Sequence, residues 1–273
     1  MNSKSSVLGL IIIYNPDPEL LLDCVNSIIE FVDELIIWSN DGSFPEFLDN
    51  MGVTKFTEQK NLGISPVFNK VSSYAFSKKY DYMLYLDQDS SLIHGSFDNL
   101  FTTIISTDNA VVGSRVVHDK NQQIETYSRK NLNLFINSGS IYDVEKMRYY
   151  KGYDERFFLD YADFEYLIRV QNQYVSTTVA DSSFILHNLG DRKVVRFFNF
   201  ELQISDRNPI RLYYISKNLV LLFKLHFLSN KILISILVFR AIFYYFKLLL
   251  FSSNRFYKLT SIVKGTLHGF FSK

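Results

Sequence analysis

Tyr82-Met83-Leu84-Tyr85-Leu86-Asp87-Gln88-Asp89-Ser90 decides the fold. Five apolar or aromatic residues in a row, without polar alternation, read as a strand buried on both faces. The run then turns abruptly acidic. Residues two apart in an extended chain point the same way, so Asp87 and Asp89 address one site. In open α/β sheets, ligands bind outside the carboxyl ends of the strands. Two hard oxygen donors there suit Mg²⁺ or Mn²⁺, which keep waters and take ligand phosphates as further ligands.

Upstream of this stretch the chain alternates strand and helix. Val7–Tyr14 is an apolar run that stops at Asn15-Pro16 and reads as the first strand. Asp17 is placed to cap a helix with Pro18 at its first position, and Leu20, Leu21, Val25, Ile28 and Ile29 form its apolar stripe. Glu34–Ser39 is the second strand and ends in the turn Asn40-Asp41-Gly42-Ser43; Val53–Thr57 is the third. A loop at Asn61–Gly63 leads into a helix over Pro66–Lys79, which makes Tyr82–Leu86 the fourth strand. This order predicts an α/β fold with a mostly parallel sheet flanked by helices. Downstream, a helix is expected over Ser96–Ser106 and a strand over Ala110–Val117. An extended segment follows over Leu132–Tyr142, around Asn137-Ser138-Gly139-Ser140. Then come a helix over Asp163–Asn172 and a last strand over Ser183–His187.

The 273 residues allow one large domain plus an appendage: an α/β domain over 1–205 and a helical tail over 206–273. One cysteine, Cys24, excludes an internal disulfide and fits a reducing compartment. The first apolar run is short and lacks a small-residue cleavage site, so a cytoplasmic location is expected. The net charge of +1 hides an asymmetry. Residues 207–273 hold eleven Lys and Arg and no Asp or Glu, leaving 18 basic and 28 acidic residues in the rest. Lys217, Lys224 and Lys231 are seven apart, and Arg240 and Lys247 repeat the spacing, with Leu, Ile, Phe and Tyr between them. That pattern predicts helices lying on an anionic membrane surface, with the lysines towards the headgroups. Ile232–Phe251 is long enough to span, but Arg240 in its middle costs ~3 kcal/mol on insertion scales, which favours lying on the membrane.

Three more groups have chemical potential. In the loops after the first three strands, Tyr14, Asn15, Asn40, Asp41 and Asn61 can read a base and ribose, and Gly63 permits close backbone approach. Ordinary turn chemistry accounts for the same residues. Asp163 falls near a helix N-terminus, where the dipole favours the ionised form. It can be a general base or a plain cap. Glu165 and Arg169, four apart, read as a surface ion pair. His187 ends a strand, with Gly190 three residues later, and can be a neutral imidazole ligand or a structural histidine.

Taken in order, Ile11–Pro16, Asn61–Asn69, Leu86–Ser90, Asn137–Ser140, Phe157–Arg169, His187–Gly190 and Arg211–Asn218 resemble glycosyltransferase family 2 with the GT-A fold. The likeness is nearest to bacterial rhamnosyltransferases of O-antigen and capsule assembly. The resemblance implies that Tyr14, Asn15 and Asn40 lie near the nucleotide, and that Asn61, Gly63 and Asn69 shape its pocket. Asp87 would face the ribose or metal, Asp89 would bind the metal, and His187 would contact metal or diphosphate. Asp163 matches the family's catalytic base. Asp160 and Arg169 match positions of the subgroup, and the Ser138-Gly139 turn would floor the donor-sugar site. Two departures stand out. The run Ser39-Asn40-Asp41 leaves open which side chain reads the base, and Lys217-Asn218 replaces the usual Arg-Asn, losing a bidentate fork.

The implied reaction is an inverting transfer from a nucleotide-sugar donor, dTDP-L-rhamnose, to a lipid-linked glycan, with Mg²⁺ or Mn²⁺ and without a nucleic-acid partner. Transfer of galactofuranose or glucose on the same fold is one alternative. A non-catalytic scaffold of a polysaccharide assembly complex is another, although a scaffold needs neither Asp89 nor Asp163. A nucleotidyltransferase would present a basic Gly-rich loop near its start, and Ile11–Glu19 offers none.

Overall fold

Strand β1 (Val7–Ile13) is buried along its whole length, as seven apolar residues between two helix layers must be. The computed structural model describes residues 5–117, 134–187, 192–197, 200–205 and 207–272. From β1 the chain passes through α1 (Pro18–Asn26) to β2 (Glu34–Ser39) and on to β3 (Thr54–Thr57), each strand parallel to the last. Helix α2 (Ser65–Ser77) then carries it back to β4 (Tyr82–Asp87), which pairs parallel with the other edge of β1. Winding therefore reverses between β1 and β4, the switch point at which doubly wound sheets hold ligands.

Beyond β4 come β5 (Ser90–Leu92), α3 (Ser96–Ser106), β6 (Asn109–Val117), β7 (Ser140–Asp143), α4 (Val144–Tyr149), α5 (Ala162–Gln171) and β8 (Ser176–His187). The eight strands form one sheet in the order β3-β2-β1-β4-β7-β6-β8-β5. Four pairings are parallel; β7 runs antiparallel between β4 and β6, and β5 antiparallel along β8.

Local chemistry accounts for these elements. The Asp17 carboxylate accepts the Glu19 and Leu20 N–H groups, with Pro18 in the first turn. Leu21, Cys24, Val25 and Ile28 make the buried stripe. Burial pushes the Cys24 thiol well above its ordinary range, and the Asp87 and Asp89 carboxylates add to this, so it stays an unreactive core group. Strand β8 is longer than the expected Ser183–His187. The strand begins at Ser176 and passes through Asp181-Ser182-Ser183. Gly113 pairs with Val179 and Arg115 with Phe184, leaving 180–183 as a bulge against Ser114, and Arg115 pairs with Asp181. The extended segment expected from Leu132 is a strand only over Ser140–Asp143; Leu132 itself lies outside the described residues.

The chain divides into two compact units: residues 1–155 with 162–188, and residues 156–161 with 189–273. The second unit corrects the expectation that Ser183–His187 is the last strand. A two-stranded antiparallel hairpin, β9 (Arg192–Phe197) and β10 (Phe200–Ser205), comes later. Three helices complete it: α6 (Pro209–His226), α7 (Lys231–Phe251) and α8 (Arg255–Phe271). Asn208 caps α6 by accepting the Arg211 N–H.

Helices α6 and α8 approach to backbone contact. A Cβ on Gly265 would lie 2.2 Å from the Tyr213 carbonyl oxygen, and one on Gly269 would lie 2.6 Å from that of Lys217. Lys224 Nζ donates to the Phe270 and Ser272 carbonyls at the C-terminus of α8, at 3.0 and 2.5 Å. Lys217 Nζ donates to the Arg156 carbonyl at 3.3 Å. Two of the three heptad-spaced lysines are thus held by carbonyls within this unit, which corrects their reading as a lipid-facing row.

Gly265→Ala should destabilise the second unit, because backbone, unlike a side chain, cannot swing away. Overpacking of this kind costs about 1–3 kcal/mol. A urea titration followed by circular dichroism would show it as a lower midpoint; an unchanged midpoint would mean that α6 and α8 do not touch here.

Candidate active site

The crevice at the carboxyl ends of β1 and β4 is built by side chains that tie one loop to the next. The Tyr14 N–H donates to Gln88 Oε1 at 2.7 Å, and Gln88 Nε2 donates back to the Tyr14 carbonyl at 3.2 Å. Gln88 therefore joins the two strand ends while its neighbours Asp87 and Asp89 remain for other work. Asn15 holds a positive φ of 43°, and its N–H donates to the Asp41 carboxylate. Burial acts to raise the Asp41 carboxyl. The Asn15 N–H, the Ser43 hydroxyl and N–H, and the Ser39 hydroxyl outweigh it and hold the group at about 2.

Asn40 is buried, with both ends of its amide engaged: Nδ2 donates to the Gly63 carbonyl and Oδ1 accepts the Leu62 N–H, each at 3.1 Å. Asn61 Oδ1 accepts the Gly63 N–H at 2.8 Å, and Gly63 has φ +77°. Asn40, Asn61 and Gly63 thus brace one loop against another, while Asp41 is the exposed carboxylate of the turn. Asn69 works elsewhere. Its amide bonds the backbone N–H and carbonyl of Tyr153, at 2.8 and 2.9 Å, and the Glu155 carboxylate at 3.1 Å.

Asp87, Asp89 and His187 converge, one donor atom of each lying within 4.8 Å of the others. His187 Nδ1 is 3.6 Å from Asp89 Oδ1 and 2.7 Å from Ser90 Oγ. Two carboxylates and an imidazole make a donor set that fits a divalent cation. The topology explains the meeting. Asp87 ends β4, Asp89 follows it, and β5 pairs Ser90 directly with His187 on β8. Gly190 lies outside the described residues. Ser138 and Gly139 lie against the same strand end: Asp87 N–H donates to Ser138 Oγ at 2.9 Å, and Gly139 N–H to the Tyr85 carbonyl at 2.9 Å. Gly139 has φ +70°, and a Cβ there would meet Ile185 Cγ2 at 2.2 Å.

Behind the carboxylates lies an aromatic bed that the sequence did not reveal. Phe68 stacks on Tyr153 at 4.1 Å and packs edge-on to Tyr142 and Tyr85. Tyr85 donates its hydroxyl to Asp87 Oδ1 at 2.7 Å, and the Tyr142 and Tyr153 hydroxyls bond each other at 2.7 Å. Burial pushes these three phenols far above their ordinary range, so they remain neutral donors. Negative charge on Asp163 and Asp87 adds to the rise at Tyr142. Asp163 is partly buried in the first turn of α5.

Glu165 is not the surface residue its spacing implied. It is 2% exposed and forks with Arg169 at 2.8 and 3.0 Å, and Arg169 also donates to the Tyr150 and Gly152 carbonyls. That pair fastens the segment leading to Tyr153 onto α5.

In the second unit, Asp160 and Tyr161 have positive φ values of 59° and 64°. Arg211 forks onto the Asp160 carboxylate at 3.1–3.3 Å, and the buried Asn218 amide donates to the Leu159 and Asp160 carbonyls. The late motif of α6 therefore holds the segment 156–161.

Asn40→Ala should leave a buried N–H and carbonyl without partners, at about 1–3 kcal/mol. The check is the urea midpoint of the variant; a midpoint equal to wild type would show that the braces are not needed.

The chain is similar in sequence to the dTDP-rhamnosyl transferase RfbF of Shigella flexneri, 22% identical over a 243-residue alignment, with 81% of each protein covered. In structure it is similar to GalNAc-T7, solved with UDP, GalNAc and Mn²⁺, at a TM-score of 0.62 and 13% identity over 85% of this chain. The chain spans 50% of that protein's length. It is also similar to S. aureus TarS 1-349, at a TM-score of 0.52 and 11% identity over 97% of this chain and 72% of that one. At such identities these two likenesses speak for the GT-A fold alone. Residues 10–167, more than half of the chain and the part that carries β1, the switch point, Asp87, Asp89 and Asp163, match glycosyl transferase family 2, and the protein belongs to that family.

Proposed function

We propose that the protein is an inverting, cation-dependent rhamnosyltransferase at the inner face of the cell membrane. The convergence of Asp87, Asp89 and His187 at the switch point carries this reading. The donor is dTDP-L-rhamnose, in keeping with the name of the Shigella relative, and the acceptor is a lipid-linked glycan. Tyr14, Asn15 and Asp41 face the nucleotide; Asn40, Asn61 and Gly63 frame the loops around it. Asp163 takes the proton of an acceptor hydroxyl. The freed oxygen pair bonds the anomeric carbon. The bond from that carbon to the diphosphate breaks on the opposite face, and the nucleoside diphosphate leaves with the electron pair, inverting the configuration. Asp87, Asp89 and His187 would hold a divalent cation, which would supply the positive charge that the departing diphosphate needs. The imidazole in the donor set suits Mn²⁺ better than Mg²⁺.

The test is nucleoside diphosphate release from dTDP-L-rhamnose and from nucleotide-activated galactofuranose and glucose, with an acceptor analogue. Release from the first alone, abolished by chelator and restored by Mn²⁺, is expected. Asp163→Asn should lose roughly 10²–10⁴-fold in turnover while still binding donor. Turnover in chelator, or a fully active Asp163→Asn, would overturn the corresponding assignment.

The membrane part rests on the second unit. Among the described residues, α7 is the one helix long and apolar enough to cross a membrane. Leu233, Ile234, Leu237, Ala241 and Leu248 face inward, while Ile232, Phe239, Ile242, Phe243, Phe246 and Leu250 are exposed. Phe256, Val263, Leu267 and Phe270 form an exposed apolar row on α8. Arg240 and Lys247 flank the α7 face, and no acidic residue lies between 207 and 273. This combination fits the surface of an anionic bilayer. Changing Phe239, Phe243 and Phe246 together to Ser should release the protein from phosphatidylglycerol vesicles in a flotation assay, with turnover on a soluble acceptor retained. Wild type that fails to float would sink the membrane reading.

A further inference from the structure

Three of the four polar atoms of Asp87 are engaged by the surrounding chain. Its N–H donates to Ser138 Oγ at 2.9 Å, and its carbonyl accepts the Cys24 thiol at 3.3 Å. Its Oδ1 accepts the Tyr85 hydroxyl at 2.7 Å. Among the described residues, Oδ2 takes no hydrogen bond.

The hydroxyl bond on Oδ1 follows from strand geometry. Tyr85 and Asp87 are two apart on β4, so their side chains stand on one face of the sheet. Tyr85 is completely buried. Phe68 packs edge-on against its ring with centroids 5.6 Å apart, and Phe68 is itself stacked on Tyr153 at 4.1 Å. The packed ring aims its hydroxyl along the strand at the carboxylate. An O–H buried without an acceptor is costly, so the hydroxyl stays where Asp87 can receive it. An ionised carboxylate only accepts, which fixes the direction of the bond. Such a bond to a charged oxygen is strong and holds the carboxylate against rotation. Oδ1 keeps a second lone pair, but Oδ2 is the oxygen with its whole charge uncommitted.

We propose that Tyr85 is a positioning residue that makes Asp87 a one-oxygen ligand. Its hydroxyl occupies Oδ1, so the carboxylate meets the divalent cation through Oδ2 alone. This inference rests on the cation reading of Asp87, Asp89 and His187 given above. Its consequence is selectivity among cations. Mg²⁺ and Mn²⁺ favour a compact octahedral shell in which each carboxylate gives one oxygen. Ca²⁺ takes roughly six to eight oxygens and readily uses both oxygens of a carboxylate. A carboxylate with one oxygen already taken therefore favours the smaller ions.

The experiment is isothermal titration of the full chain with Mn²⁺ alone and with Ca²⁺ alone, the fold of each variant being checked by circular dichroism. Tyr85→Phe removes one oxygen and keeps the ring. It should weaken Mn²⁺ binding roughly 10–100-fold, as loss of an outer partner does. Ca²⁺ binding should fall less, so the ratio of the two affinities moves towards Ca²⁺. Tyr153→Phe is the control. It takes a hydroxyl from the same aromatic bed, but one that bonds Tyr142 rather than a carboxylate, and should leave the ratio as in wild type. Asp87→Glu carries the carboxylate one methylene past the hydroxyl and should move the ratio the same way as Tyr85→Phe; it takes over the test if Tyr85→Phe does not fold. A ratio that stays at the wild-type value in Tyr85→Phe, or that moves as far in Tyr153→Phe, would overturn the proposal. Mn²⁺ binding lost in Asp87→Ala but untouched in Tyr85→Phe would overturn it while leaving the cation reading intact. Wild type that binds no Mn²⁺ would overturn both.

Discussion

The reversal of winding between β1 and β4 is the constraint on which the rest of the molecule depends. Helices that follow adjacent parallel strands on opposite sides of a sheet carry their loops apart, and a crevice opens between the strand ends. Whatever lines that crevice meets solvent or ligand, so the apolar run of β4 has to stop there. It stops in Asp87-Gln88-Asp89. Gln88 closes the seam to β1 through the Tyr14 backbone, which leaves the carboxylates on either side of it to face the opening.

Holding two carboxylates close together costs electrostatic free energy that surrounding donors have to offset. Tyr85 gives its hydroxyl to Asp87, and the β5–β8 pairing brings His187 alongside Asp89. The aromatic bed under β4 keeps its phenols neutral by burial, so they donate hydrogen bonds without adding charge. Glu165 and Arg169 fasten the segment that delivers Tyr153 to this bed. Framework and chemistry are therefore the same hydrogen-bond network in much of the first unit.

The second unit follows a different logic. Helices α6 and α8 meet through glycine and carbonyl contacts at Gly265 and Gly269, beside an apolar cluster of Leu212, Leu248 and Ile262. Large apolar side chains are thereby left on the outside of α7 and α8. An exposed surface of this size is uncommon unless something covers it.

Much of the first half of the fold was legible in the chain because its signals are local. The strand β2 has an apolar centre over Leu35–Trp38 with a turn after it, α1 has an Asp cap and Pro at its start, and α3 has a 3.6-residue stripe. Each was readable to within a residue or two. Strand β5 and helix α4 were not readable, since three and six residues carry too little periodicity. Strand β8 extends upstream of the expected Ser183–His187 through a bulge at 180–183, which only its pairing with β6 sets.

The site divides in the same way. By itself the sequence determined that Asp87 and Asp89 follow a buried apolar strand and that Asp163 opens a helix, because apolar patterning and helix-end chemistry act over a few residues. Tertiary structure decided that Asn40 and Asn69 spend their amides on neighbouring loops, that Glu165 is buried, and that Lys217 and Lys224 bond carbonyls. It also decided that His187, 98 residues from Asp89, stands beside it. A polar side chain takes whichever partner lies within about 3 Å, and that partner is chosen by the packing of elements far apart in the chain.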